Sequence, residues 1–221
     1  MDRRTTSSVL GARIDALSWE AALDRLLGWA QRRESRYVAI CNAHVVVSAS
    51  RDLAYRDVIN GADMATPDGA PIAWMLRRQG FAGQRRISGP DLMWALAERC
   101  AAQGLPVYCY GSTPQTLDLL EQRLRAAFPN LVVKTESPPF RALTEQENAE
   151  AVARINESGA GVVFVGLGCP KQERWMAQHR GPVQAVMVGV GAAFDFHAGT
   201  VRRAPPWMQA HGLEWLHRLA S

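Results

Sequence analysis

Lysine is nearly missing from this chain. Lys134 and Lys171 are the only two among 25 basic residues, and the rest are arginine. Genome composition alone can produce such a bias. So can a surface that meets phosphate, because the planar guanidinium fork matches phosphate oxygens. Cysteine is scarce as well. Cys41, Cys100, Cys109 and Cys169 form no Cys-x-x-Cys pair, which argues against a zinc or redox framework and leaves reduced thiols as the expectation. No apolar run approaches the roughly 20 residues that a spanning helix needs. The polar stretch Met1 to Ser8 lacks the apolar region of a signal peptide, so the chain reads as cytosolic. Internal repeats and low-complexity tracts are absent too, and a net charge of +4 is too small to imply nucleic acid as a partner. What is present is a globular balance, 48% hydrophobic and 21% charged over 221 residues, enough for a single domain spanning 1–221 with a substantial core.

Apolar spacing predicts a helix over 18–33, with Ser18 as its cap and Ala22, Leu23, Leu26, Leu27 and Ala30 on one face. Tyr37 to Cys41 is a short apolar run, expected as a buried strand, and His44 to Ile59 reads as one helix. Met64 and Ala65 precede a loop, Thr66-Pro67-Asp68-Gly69. A short helix follows, with Pro71 in its first turn and Gly80 beyond its end, and another runs from Pro90 to Gln103. From there the rhythm is regular: strand at Val107 to Tyr110, helix at Pro114 to Phe128, strand at Leu131 to Lys134. A helix at Thr144 to Asn156 opens on a capping-box spacing, Thr144 to Glu147. Strand Val162 to Val165, helix Pro170 to His179 and strand Ala185 to Val190 complete it. Strands of four to six apolar residues alternating with helices specify an α/β fold, a Rossmann-like, mostly parallel sheet with helices on both faces. Such sheets bind ligands at the carboxyl ends of their strands.

That rule selects five loops. They carry Asn42-Ala43-His44, Asp68-Gly69, Gly111-Ser112-Thr113, Gly166-Leu167-Gly168-Cys169-Pro170-Lys171-Gln172-Glu173 and Gly189-Val190-Gly191-Ala192-Ala193-Phe194-Asp195. Neither Gly-x-Gly segment completes a dinucleotide fingerprint, since Lys171 and Phe194 stand where the third glycine belongs. These glycines serve either as tight turns or as places where backbone N–H groups approach phosphate at a helix start. Pro170, Lys171 and Gln172 in a first helical turn favour phosphate. Asp68 between Pro67 and Gly69 is a plain turn aspartate or a carboxylate held for chemistry. His44 is a base or a helix-start residue. Asp195 and His197 are too few for a metal site, and Asp63 and Asp68 do not form the Asp-x-Asp of metal-dependent sugar-nucleotide enzymes. Trp74, Trp94, Trp175, Trp207 and Trp215 are sugar-stacking or core residues. Arg77, Arg78, Arg85 and Arg86 are a solvated basic face or, at Arg86 before the turn Ile87-Ser88-Gly89-Pro90-Asp91, an arginine directed at the strand ends.

Taken in order, these segments resemble the WecG/TagA/CpsF family, glycosyltransferase family 26. The matching pieces are Asn42-Ala43-His44, Ala62 to Gly69, Arg86 to Leu92, Gly168 to Glu173, Gly189 to Asp195, Arg203-Ala204-Pro205 and Gly212-Leu213-Glu214-Trp215-Leu216, from about residue 10 to the end. The resemblance implies an inverting, metal-independent transferase without a cofactor. It would move a sugar of glucose or N-acetylmannosamine type from a UDP-sugar to an undecaprenyl-pyrophosphate-linked sugar at the inner membrane face. Its catalytic residues fall on Asp68, Asn42 and Arg86. Gly69, Gly111, Gly168, Lys171, Gln172, Glu173, Gly189 and Asp195 are the substrate-binding candidates. Asp68 is the expected base, taking the acceptor proton as the new bond forms. Arg86 and the N–H groups near Gly168 to Lys171 would relieve charge on the leaving diphosphate.

Two departures stand out. Some members carry threonine where this chain has Ile40, and the wording around Asn42 and Asp68 is closer to the xanthan-type β-1,4-glucosyltransferase branch. Relatives also continue past Leu219 with basic and apolar residues that aid membrane attachment, so the sequence predicts a domain short of that tail, peripheral at the membrane and open to self-association. The competing reading is a non-catalytic nucleotide-sugar-binding α/β protein.

Overall fold

The computed structural model describes residues 4–205 and residue 208. A hairpin, β1 (Thr6–Val9) and β2 (Ala12–Asp15), leads into α1 (Trp19–Gln31), followed by β3 (Arg36–Cys41), α2 (Ala43–Arg51), α3 (Leu53–Gly61) and β4 (Met64–Pro67). Next come α4 (Ala70–Arg78), α5 (Gly89–Ala102), β5 (Val107–Gly111), α6 (Pro114–Ala127), β6 (Val133–Glu136) and α7 (Glu145–Glu157). The described chain closes with β7 (Val162–Gly166), α8 (Lys171–Gln178), β8 (Val186–Gly189) and α9 (Ala193–Ala198). Six strands form one parallel sheet in the order β4-β3-β8-β7-β5-β6. The expected α/β architecture is present.

Strand alternation builds two cores. Val38 and Ile40 of β3, with Val162 and Phe164 of β7, face α1, α5, α6 and α9. Tyr37, Ala39 and Cys41, with Val163 and Val165, face α2, α3, α4 and α8 on the other side. Leu23, Leu26 and Leu27 of α1 are buried on the first side, each worth about 1.5–3 kcal/mol over exposure. Ser18 caps α1 by accepting from the Ala21 N–H at 3.1 Å. The Thr144–Glu147 capping box is present, with Glu147 N–H donating to Thr144 Oγ1 at 3.2 Å and Thr144 N–H to Glu147 Oε2 at 2.9 Å.

Three sequence expectations are corrected, and one element is new. The helix expected from His44 to Ile59 is two helices, broken at Asp52, whose Oδ1 accepts from Tyr55 N–H at 3.0 Å and starts α3. Thr66 and Pro67 belong to β4 rather than to a loop; proline is tolerated because β4 is an edge strand of the parallel sheet. The strand expected at Leu131 to Lys134 is shifted to Val133–Glu136 by its register, Val133 opposite Val107. The β1–β2 hairpin has no counterpart in the sequence reading. It turns through Leu10 (φ 49°) and Gly11 (φ 87°) and is pinned to β4 by Asp15, which accepts from Ala65 N–H at 2.6 Å and from the Arg4 fork at 2.7 and 2.8 Å. The Gly212 to Leu216 segment, Trp207, Trp215 and the C-terminal end that bears on membrane attachment lie outside the described residues.

Candidate active site

Every strand of the parallel sheet ends at the same rim. Cys41 is paired with Pro67, so Asn42 and Asp68, the next residues of β3 and β4, leave the sheet side by side. Asp68 N–H donates to Cys41 O at 3.0 Å, and Ile87 N–H donates to Pro67 O at 2.8 Å, which brings the Arg86 segment onto the same corner. Asn42 caps α2, its Oδ1 accepting from Val45 N–H at 3.1 Å. Gly69, at φ 81°, is the cap of α4; only glycine takes that conformation without strain, and it leaves the half-buried Asp68 at a helix start.

The next strands bring in α8. Gly168, at φ 77°, turns the chain into Pro170, and Lys171, exposed, begins the helix. Gln172 and Glu173 are buried in its first turn. Gln172 Nε2 donates to Glu173 Oε1 at 2.7 Å. Tyr55 of α3 donates its hydroxyl to Glu173 Oε2 at 3.0 Å and lies 3.2 Å from Cys169 Sγ. Arg174 ties the same two helices together from outside, donating to Asp52 at 2.7 Å with its guanidinium 5.7 Å from the Tyr55 ring. Burial pushes the Glu173 carboxyl above its usual range, and the donors from Gln172 and Tyr55 and the charge of His44 offset this only in part. The Cys41 thiol is pushed up by burial and then by the charges of Glu173, Asp15 and Asp68.

Gly189 is packed against Gln172. A Cβ there would stand 2.7 Å from Met176 Cε and 3.2 Å from Gln172 Nε2. Gly111 is two strands away, opposite Gly166, and a Cβ on it would fall 2.5 Å from Gly166 O. From Asp68 to Gly111 the rim crosses four strand spacings, roughly 19 Å at about 4.8 Å each. Asn42, Asp68, Gly69, Gln172, Glu173 and Gly189 thus gather on the β4–β3–β8 half, with Arg86 on its corner, while Gly111 stands on the far half. Asp195 sits in α9, where its carbonyl accepts from Gly199 and Thr200 N–H at 3.0 and 3.1 Å and its Oδ1 from Thr200 Oγ1 at 3.4 Å.

Several other candidates have contacts within the chain. Arg77 donates to Gln84 O at 2.9 Å, and Arg78 stacks 5.7 Å from the exposed Trp74 ring. Trp94 stacks on His197 at 4.7 Å, and Trp175 lies between Tyr110 at 4.7 Å and His179 at 4.1 Å. Asp63 is committed at the opposite end of β4, where it accepts from Arg36 at 2.9 Å, Arg180 at 2.7 Å and Tyr37 N–H at 3.0 Å. Among the described residues no cluster of three or more His, Cys, Asp or Glu side chains suits a metal ion, and no helix is long and apolar enough to cross a membrane.

Tyr55 was missed in the sequence because a lone tyrosine on an expected helix carries no signal until the helix is folded against α8. Asp91 and Arg203 were also missed as a pair. Arg203 donates to Asp91 Oδ1 at 2.5 Å, and Ser88 Oγ, which donates to Asp91 Oδ2, joins them. Burial raises the Asp91 carboxyl, but the hydrogen bonds from Arg203 and Ser88 outweigh it and hold Asp91 below its usual range. Phe140, 82% exposed just past β6, is an aromatic face that no periodicity would single out.

The profile of the glycosyl transferase WecG/TagA/CpsF family matches residues 7–221. The chain belongs to that family. It is a glycosyltransferase of polysaccharide biosynthesis, and the family implies a nucleotide-sugar donor and a lipid-linked acceptor. The match includes the sequence segments whose described residues converge on the rim.

Proposed function

We propose that the chain transfers a hexose, of glucose or N-acetylmannosamine type, from a UDP-sugar to a polyprenyl-pyrophosphate-linked sugar in one inverting step. The observation that carries this is the juxtaposition of Asp68 with Asn42 at the paired ends of β4 and β3, with the Arg86 segment bonded to the same corner. A single displacement needs a base opposite the leaving group, and Asp68, half-buried at the rim, is that base. The acceptor hydroxyl gives its proton to the Asp68 carboxylate as its oxygen attacks the anomeric carbon, and the bond to the UDP oxygen breaks on the other face. Asn42 orients the acceptor. Arg86 and the N–H groups at the start of α8 take up charge on the departing diphosphate. Gln172, Gly189 and Asp195 line the donor side.

Metal independence is part of the reading. Asp63, the nearest acidic neighbour in sequence, is bonded to two arginines at the other end of its strand and does not join Asp68 at the rim. The test is transfer from a panel of UDP-sugars to a synthetic lipid-pyrophosphate-linked glucose with EDTA present. Transfer of one sugar, lost in Asp68→Asn, is the expected result. UDP binding without transfer or hydrolysis would point instead to a nucleotide-sugar-binding protein. Strict dependence on added magnesium or manganese would overturn the metal-independent step. Association with the membrane face belongs to the same proposal and is checked by flotation with anionic vesicles.

A further inference from the structure

Gln172 is 5% exposed, and its amide divides between two surroundings. The nitrogen donates to Glu173 at 2.7 Å. The oxygen is shielded from solvent and meets no donor among the described residues. Buried carbonyls left this way are uncommon and costly, so a donor is called for. This oxygen lies at the carboxyl end of β8, 3.6 Å from where a Cβ on Gly191 would stand.

An amide can usually turn over, exchanging oxygen for nitrogen. While Glu173 is ionised, that turn would set the Gln172 oxygen against Glu173 Oε1, two acceptors face to face. The Tyr55 hydroxyl donates to the other oxygen, Oε2, at 3.0 Å and so favours the ionised, acceptor-only form of Glu173. Neither side chain has room to escape, with Tyr55 1% and Glu173 0% exposed.

We propose that Tyr55 and Glu173 are positioning residues that lock the Gln172 amide nitrogen-inward, so that its carbonyl accepts a hydrogen bond from a hydroxyl of the bound nucleotide sugar. The inference rests on the transferase reading above, in which Gln172 lines the donor side. It adds a polarity to that side: a fixed acceptor selects a hydroxyl and rejects an analogue in which that hydroxyl is replaced by a group that cannot donate.

The test is calorimetric titration of the full chain with UDP-glucose and with UDP-N-acetylmannosamine, using single and double variants whose folding is checked by thermal melting. Gln172→Met is expected to weaken the better of the two ligands about 10–100-fold, the cost of one buried hydrogen bond. Glu173→Met is expected to match it. Tyr55→Phe is expected to lose roughly 3–10-fold, since Glu173 keeps its bond to Gln172. Glu173→Gln should recover most of the loss of Glu173→Met, because a second amide carbonyl can still accept from Gln172. In the double variants Tyr55→Phe or Glu173→Met should add nothing to Gln172→Met, because they act through it. Losses that multiply in the doubles would overturn the proposal. Where Glu173→Met does not fold, the Tyr55→Phe cycle decides alone. Wild-type binding by Gln172→Met would overturn it too, while leaving the transferase reading to stand on Asp68. A wild-type chain that binds neither ligand nor UDP would remove both.

Discussion

The β4–β3–β8 half of the rim and the β7–β5–β6 half are held in shape by different forces. On the first, side-chain hydrogen bonds set the geometry: Asn42 caps α2, and Glu173 accepts from Gln172 and Tyr55 in a site closed to solvent. One acceptor there, Gln172 Oε1, is left without a partner among the described residues. On the second, shape comes from contact. A Cβ on Gly111 would fall 2.5 Å from Gly166 O, and one on Gly166 would fall 2.5 Å from the Phe194 ring. The charged groups of that half pair at the surface, as Glu136 does with Arg154 at 2.9 Å. Polar geometry with an unmet acceptor is suited to a ligand, whereas close packing with paired charges is suited to holding the sheet together. Substitutions on the two halves should therefore separate into losses of function and losses of stability.

Asp68→Asn is the sharpest test of the first half. It keeps the size of the side chain and removes the base. We expect transfer to fall 10²–10⁴-fold, about 3–5 kcal/mol in the barrier, with a change in melting temperature that is small beside it. A large drop in melting temperature with modest loss of turnover would make Asp68 a structural turn residue and dissolve the comparison.

Gly111→Ala is the counterpart on the second half. The added methyl meets backbone that cannot swing aside, at a φ of 126° that side chains rarely adopt. We expect about 3 kcal/mol of lost stability, which for a chain of this size lowers the melting temperature by roughly 6–12 °C. Gly189→Ala offers the contrast, because the closest atom to its new methyl is the flexible end of Met176, at 2.7 Å. Its stability cost should be smaller and its main effect a weaker donor, through pressure on the Gln172 amide at 3.2 Å. Equal melting losses for the two would mean that both halves are simply packed.

Much of this arrangement was legible in the residues. Alternating apolar strands and capped helices gave the parallel sheet, and the rule that ligands sit at strand ends pointed to Asn42, Asp68 and Gln172 before any contact was known. What was not legible depends on long-range packing. Thr66 and Pro67 read as a turn because proline and glycine stand together, yet pairing with β3 draws both residues into β4. The hairpin was missed because its strands are four residues each and its anchor, Asp15, acts by reaching Ala65 across 50 positions. Tyr55 was invisible for the same reason: its partner Glu173 is 118 residues away.

The pH dependence of stability should carry the signature of the first half. Burial raises the Glu173 carboxyl above the ordinary 4.5, so between 4.5 and that raised value the folded chain holds a proton that the unfolded chain has released. Glu173 therefore favours folding at acid pH, and its contribution is lost as the pH rises through the folded value. Asp91, held below 3.8, behaves oppositely: its contribution is present above 3.8 and is lost as the pH falls through the depressed value. Denaturant titrations from pH 4 to 8 should show Glu173→Gln gaining on the wild type as pH rises. A parallel offset at all pH values would show that Glu173 titrates as it does in the unfolded chain.

The smallest effect belongs to the surface pair of the second half. Arg154 is half exposed, and its partner Glu136 also accepts from the Tyr108 hydroxyl at 2.6 Å, so removing the arginine does not strand a buried carboxylate. Solvent screening limits such a pair to under about 1 kcal/mol. Arg154→Ala should therefore lower stability slightly at low salt, and the difference should shrink at 0.5 M sodium chloride, where charges are screened within about 4–5 Å. Donor affinity should be untouched. A loss of affinity with Arg154→Ala would extend the ligand site to the β6 edge, and the division between a ligand-facing half and a packing half would have to be redrawn there.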